Sequence, residues 1–203
     1  MKRKIFLWCI IVVFLLTASV VAACERMHSS IASGIIRLHI VAASDDERDQ
    51  KIKLLVKDAI ISAQKEIFKD GIKKTLNMEE KEKLKECATK ILKEQGVDYG
   101  VLVETGKFYF PTKRYENITL PAGQYDAVRV ILGKGSGQNW WCVMYPPLCF
   151  SSSVVGKADE ESLNILKESM TEFEYSIVTE ESIKVVPAFK LVEIWQIVKE
   201  KVR

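Results

Sequence analysis

Residues 5–23, IFLWCIIVVFLLTASVVAA, form an apolar run without a single charge, and Lys2, Arg3 and Lys4 stand directly before it. A segment of this kind has no place on the surface of a water-soluble domain. A basic head followed by an apolar body is the pattern of an export signal. Its length is also just that of a bilayer-spanning helix, which needs about 20 apolar residues. The basic flank stays on the cytoplasmic side, so the rest of the chain is delivered to the other side. The sequence therefore divides into an export signal or N-terminal anchor at 1–23 and a body that folds independently of it.

The end of the run leaves three outcomes open. Val21-Ala22-Ala23 supplies the small residues that signal peptidase requires before its cut. Retention of the run would keep the chain in contact with the membrane through residues 5–23. Lipid attachment at Cys24 is the third outcome, since Val-Ala-Ala-Cys loosely resembles a lipobox; a cysteine that merely follows a cleavage site is the simpler reading.

The run also settles the meaning of the charge. The chain carries 30 basic against 27 acidic residues. The three basic residues in excess are those ahead of the run, which leaves the exported body formally neutral. That removes the electrostatic argument for a nucleic-acid partner, because such binding rests on clustered Lys and Arg neutralising phosphates.

Export changes how the cysteines are read, since thiols outside the cytoplasm can persist as disulfides. Cys9 lies in the apolar run. Cys142 and Cys149 flank Pro146-Pro147, a rigid turn that can bring them together, and a bridge closing so short a loop contributes about 2–3 kcal/mol. Cys87 falls on the apolar face of a helix and reads as a small buried residue. No C-x-x-C is present, and His28 and His39 are the only histidines, so no zinc site and no other cofactor is expected.

The body reads as α+β: two N-terminal helices packed on a mostly antiparallel sheet, followed by C-terminal helical segments. The stretch at 35–43, IIRLHIVAA, alternates apolar residues with Arg37 and His39, the pattern of a strand with one buried face. Ser44 followed by Glu47 forms a capping-box pattern for a helix carrying Ile52, Leu55, Val56, Ala59, Ala63 and Ile67, which ends by Gly71. Asn77 and Glu80 open a second helix that stops at Gly96. Beyond it, strands are expected at 101–103, 108–110, 125–132 and 140–145, with turn chemistry at Thr105-Gly106 and at 121–123. Residues 159–170 read as helical, and a last helix opening at Pro187 carries a stripe of Leu191, Ile194, Trp195 and Val198. The main domain is expected at 30–155, with 156–203 packing on it or extending it.

Residues 37–60, RLHIVAASDDERDQKIKLLVKDAI, and 117–150, NITLPAGQYDAVRVILGKGSGQNWWCVMYPPLCF, resemble the stage II sporulation protein R family of endospore-forming bacteria. The block at 139–150, NWWCVMYPPLCF, is the most specific part of the likeness. The resemblance implies a signalling protein that catalyses nothing. Such a protein is exported from the forespore into the space between the two membranes that separate it from the mother cell. There it activates a membrane-embedded aspartic protease that cleaves the precursor of the sigma-E transcription factor.

Recognition surfaces are rich in Trp, Tyr and Arg, so Trp140 and Trp141, with Asn139 and Tyr145 around them, are the candidate partner-binding residues. On a strand the two indoles point to opposite faces, leaving at most one for the core and the other for a partner. The glycine-rich residues 133–137 fit neither phosphate-binding template and read as a hairpin connection. An extracytoplasmic hydrolase is the competing class, with Cys142 as nucleophile and His39 as base, or with a pair from the carboxylates Asp45, Asp46, Glu47 and Asp49. Those carboxylates are better explained by a helix N-terminus, where negative charge is stabilised. A membrane-anchored scaffold lipoprotein is the third class.

Overall fold

The computed structural model describes residues 2–69, 71–73, 75–115, 118–148 and 160–179. A 32-residue helix, α1 (Lys2–Ser33), contains the whole apolar run and continues beyond it. Its last turns belong to the folded body: Ile31 and Ala32 are buried, and His28 packs edge-on against the Tyr125 ring at 5.0 Å.

The chain then alternates as β1 (Ile36–Val41), α2 (Glu47–Ile67), α3 (Met78–Glu94), β2 (Val101–Phe110), β3 (Lys113–Tyr115), β4 (Ile118–Leu120), β5 (Gly123–Leu132), β6 (Asn139–Tyr145), α4 (Glu160–Glu168) and α5 (Glu172–Thr179). Four strands form one sheet in the order β2-β5-β1-β6, and β3 and β4 make a separate hairpin. The β2–β5 and β1–β6 pairs are antiparallel, while β1 and β5 run parallel. The expected α+β architecture is present.

Each face of the sheet has its own core. On one face Leu38, Ile40, Val128, Val130, Cys142 and Met144 pack under α2 and α3, against residues such as Ile52, Val56, Leu84 and Ala88. On the other, Phe110, Tyr125, Ala127 and Val143 lie under the end of α1, the β3–β4 hairpin and the helices α4 and α5, which contribute Leu166 and Val178. β1 is central and covered on both sides, so all six of its residues are buried. The alternation with Arg37 and His39 suggested one wet face. That expectation fails because both polar side chains are taken up by aromatic neighbours.

The helix ends follow local chemistry in one case and tertiary structure in the other. Asn77 and Glu80 form the expected reciprocal capping box at the start of α3. At α2 the N-cap is Asp46, with no side-chain cap bond. Ser44, expected to cap, instead donates its hydroxyl to Asp49 at 2.7 Å and accepts the Asp46 N–H at 3.1 Å. Cys87 is half-buried rather than buried. The two strands expected on either side of Thr105-Gly106 are one continuous ten-residue strand, because Gly106 pairs in regular register with Ala127.

Residues 133–138 are not a hairpin connection either, since β1 lies between β5 and β6. The segment crosses the end of β1 and is bonded to it: Gly137 N–H donates to the Ala42 carbonyl at 3.0 Å, and the Ser136 hydroxyl to the Ala43 carbonyl at 2.8 Å. Gly135 adopts φ +60°, and a Cβ on Gly137 would run into the Ser44 carbonyl, so glycine is required at both positions. The last expected helix, with Leu191, Ile194, Trp195 and Val198, lies outside the described residues, as does Cys149.

A half-open aromatic face on the sheet

Pairing across the sheet aligns Glu104 of β2, Arg129 of β5, His39 of β1 and Trp141 of β6 in one row on the face opposite α2 and α3. Neighbouring rows bring Leu102, Ile131, Val41 and Asn139 to one side of it, and Ala127, Arg37 and Val143 to the other. The second group is buried under α1 and the hairpin. The first reaches the rim, where Leu102 is 52% exposed and Asn139 is exposed.

Trp141 is the centre of this surface. Its indole stacks on the His39 imidazole, with centroids 3.8 Å apart and planes inclined by 15°, and meets the Phe110 ring edge-on at 4.9 Å. His39 Nε2 donates to Asn139 Oδ1 at 2.7 Å, which fixes the plane of the imidazole against the indole. Burial is the main reason the His39 pKa lies below the ordinary histidine value; the Asn139 bond opposes that shift and the nearby Arg129 charge adds to it. At neutral pH His39 is therefore an uncharged flat ring that extends the aromatic surface.

Under this layer sits a buried cation. Arg37 is fully buried, with its guanidinium carbon 4.5 Å from the Phe110 centroid and 5.1 Å from that of Tyr125. Its Nε donates to the Cys142 carbonyl at 3.0 Å and its Nη2 to the Tyr115 hydroxyl at 3.1 Å. Tyr115 in turn donates to the Trp141 carbonyl at 3.4 Å, linking the hairpin to β6. Burial raises the Tyr115 and Tyr125 pKa values, with Arg37 acting in the opposite direction, so both phenols stay protonated. Removing one partner of such a network would strand buried polar groups, at a cost of about 1–3 kcal/mol each.

At the β2 side of the row Arg129 donates Nε and Nη2 to the same Glu104 oxygen, at 2.9 and 2.5 Å, and lies 4.5 Å from the Phe108 centroid. The surface thus combines Trp141 and Arg129, two of the residue types in which binding energy concentrates at interfaces, with a neutral histidine and an exposed leucine.

The four residues singled out from the sequence are split by the sheet. Trp141 and Asn139 share the half-open face. Trp140 and Tyr145 pack against the core beneath α2 and α3, with Lys57 Nζ 5.0 Å from the Trp140 ring and Phe68 5.6 Å from Tyr145. The indoles do point to opposite faces, yet each packs on a core, so neither is simply core or simply free. Glu104, Phe108, Phe110 and Arg129 were not singled out; their shared parity along two strands was the available signal, and the pairing of those strands was not.

Cys142 and His39 cannot act together as nucleophile and base. Cys142 pairs with Leu38 and belongs to the core under the helices, whereas His39 faces the other way. Cys142 is moreover disulfide-bonded. Its expected partner, Cys149, lies outside the described residues. The carboxylate cluster is structural: Asp45 accepts the Gln138 N–H at 2.8 Å, and Asp49 accepts from Ser44 and, at 3.0 Å, from Tyr99. Tyr99 is held protonated, its pKa pushed up to about 12 by burial and by Asp49. Among the described residues no group of three or more His, Cys, Asp or Glu could hold a metal ion. Cys24 on α1 is a free thiol. By length and composition, α1 is able to cross a membrane.

Comparison with known proteins adds the following. Residues 32–155 match the protein-family model described as Stage II sporulation protein R. The chain is 34% identical over 177 residues to Stage II sporulation protein R of Bacillus subtilis (strain 168), covering 79% of this chain and 77% of that protein. No solved structure matches.

Proposed function

Because the chain belongs to the stage II sporulation protein R family, we propose that it is a signal between the two compartments of the sporulating cell. α1 directs its export across the forespore membrane, by the export machinery and with signal peptidase as the processing enzyme where the run is cleaved. In the intermembrane space it binds the membrane-embedded aspartic protease of the mother cell. That protease then cleaves the sigma-E precursor. The chain contributes binding rather than bond-making chemistry: it favours the active state of the protease by binding that state more tightly. Moving an equilibrium from 1:99 to 99:1 requires a preference of about 10⁴-fold.

The observation that carries this reading is the half-open face, where Trp141 is presented on a rigid sheet beside His39 and Asn139, with Arg129 beyond His39 in the same row. A partner covering it would complete the burial of the indole. Trp140 and Tyr145, on the opposite face, hold β6 in place from behind.

The test is reconstitution of the full chain with the protease and the sigma-E precursor in a non-sporulating host, read as precursor cleavage on an immunoblot. The wild-type chain is expected to trigger cleavage. Trp141→Ala should lower its potency about thirtyfold, since truncating a central interface aromatic costs roughly 2 kcal/mol or more, and Asn139→Ala less. Circular dichroism of each variant confirms the fold. Absence of cleavage with all three proteins folded and correctly located refutes the assignment; full potency of both variants moves the contact away from this face. The intact mass of the exported protein separates cleavage after Ala23, lipid on Cys24 and retention of α1.

A further inference from the structure

From β1 to β6 the chain runs back and forth between two ends of the body. β1 and β5 start at one end and β2 and β6 finish there, with Phe110 opposite Gly123 and Tyr145 opposite Ile36. α2 returns to that end, where Phe68 meets the Tyr145 ring at 5.6 Å. α3 leads away from it again, so that Arg48 at the start of α2 donates to the Gly96 carbonyl at 3.2 Å. α1 arrives at the first end: His28 packs on Tyr125, and its ring fills the space that a Cβ on Gly123 would take. The apolar run stops at Ala23, only about 8 Å of helix before His28. The bilayer that α1 is able to cross therefore begins next to this end of the sheet.

Charge is divided between the two ends. The connections on the α1 side, residues 68–77 and 111–122, hold five basic and two acidic residues, whereas those on the far side, 42–46, 95–100 and 133–138, hold one basic and three acidic. The first of the α1-side connections also presents apolar surface: Ile72 is 40% exposed and Met78, directly after the turn, 79%. Lys69 is exposed beside them, and two of the neighbouring carboxylates are neutralised, Glu80 by Lys73 at 2.7 Å and Glu66 by Lys83. Apolar side chains that enter the headgroup boundary, with lysines around them, hold a surface against an anionic bilayer. We infer that the α1 end of the body rests on the anionic surface of the membrane, through Ile72, Met78 and Lys69 of the α2–α3 turn and through Lys113 and Arg114 of the β3–β4 hairpin. The inference rests on the reading of α1 as the segment that meets the membrane. A single helix would leave the body free to swivel; a second contact fixes its attitude. The rim of the half-open face, at Leu102 and Asn139, belongs to the opposite end and is thereby held away from that bilayer.

The experiment reconstitutes the full chain, body outward, in vesicles of phosphatidylcholine alone or mixed with phosphatidylglycerol, and reads amide hydrogen exchange by mass spectrometry. The protease takes no part, so the result stands apart from the precursor-cleavage test. Flotation with both kinds of vesicle checks that α1 is inserted; a chain that floats with neither overturns the inference at its premise. With phosphatidylglycerol present, amides at 68–78 and 112–115 should exchange at least about tenfold more slowly, since each lysine at an anionic surface favours the docked state about fivefold. Amides at 95–100 and 133–138 should exchange equally in both lipids. Lys69→Glu combined with Lys113→Glu should abolish the difference, and Ile72→Ser combined with Met78→Ser should reduce it, with circular dichroism of both variants matching wild type. Equal exchange of wild type in the two lipids overturns the inference. So does slowing at the far connections instead, or slowing that survives the double lysine variant.

Discussion

Phe110 joins the buried Arg37 layer to the Trp141 surface on the candidate face, and replacing it with alanine is the most informative single change to the fold. The ring is fully buried, meets Trp141 at 4.9 Å and Tyr125 at 6.0 Å, and carries the Arg37 guanidinium 4.5 Å from its centroid. Truncating a buried phenylalanine costs about 3–5 kcal/mol. Loss of the two edge-on ring contacts, about 0.5–1.5 kcal/mol each beyond area burial, and of the cation contact places this site at the upper end. In a body of this size each kcal/mol moves the thermal midpoint by about 2–4 °C, so Phe110→Ala should lower it by roughly 10–20 °C. Phe110→Leu keeps most of the volume and should cost about 1–3 kcal/mol, chiefly the ring terms. The assay is thermal unfolding of the full chain in detergent, followed by circular dichroism. A double-mutant cycle of Phe110→Leu with Arg37→Met should show a coupling of about 0.5–2 kcal/mol. A Phe110→Ala midpoint within about 3 °C of wild type, or a coupling near zero, would refute the claim that this ring supports both the buried cation and the Trp141 surface.

Two further outcomes follow from the same geometry. Asn77→Ala removes the side-chain half of the α3 capping box, the Oδ1 that accepts the Glu80 N–H, and should cost about 1 kcal/mol in denaturant unfolding, while Asn77→Asp should cost much less; equal losses would rule out the cap as the cause. His39 gives a pH signature: burial lowers its folded-state pKa, so the unfolded chain takes up the proton first as pH falls. Its contribution to stability is therefore complete above the unfolded value of about 6.5 and is lost as pH drops through the lower folded-state value. Unfolding free energies of wild type and His39→Gln measured from pH 8 to pH 5 should diverge on the alkaline side and converge on the acid side; parallel curves would exclude His39 as the titrating group.

How much of this was legible in the sequence depended on whether the signal was local. The Asn77/Glu80 cap and the α3 stripe were readable because propensity, capping and periodicity agree within a few residues; the α2 stripe was only partly so, since Ile52, Val56 and Ile67 are buried as expected but Leu55 is exposed and Lys53, Lys57 and Gln64 are buried in its place. The break read into Thr105-Gly106 was wrong because turn propensity is weak against a ten-residue ladder with β5. Arg37 and His39 looked like solvent-facing positions, and only the non-local approach of Phe110, Tyr115, Tyr125 and Trp141 makes their burial tolerable. The candidate face was half-visible for the same reason. Trp141 and Asn139 stand out in their own segment, whereas Arg129 and Glu104 join them only through strand order, and nothing in the alternation of β2 or β5 says which strand lies beside which.

The crossing of residues 133–138 over the end of β1 has a kinetic consequence. β1 is among the first segments of the body to be synthesised, but its two neighbours, β5 and β6, come about 90 and 105 residues later. It cannot be enclosed until both exist. Contacts so distant in sequence make folding slow, because the intervening loop must close before they contribute. The central strand therefore remains without its partners until the chain up to Tyr145 has emerged, so the sheet is among the last parts of the body to close.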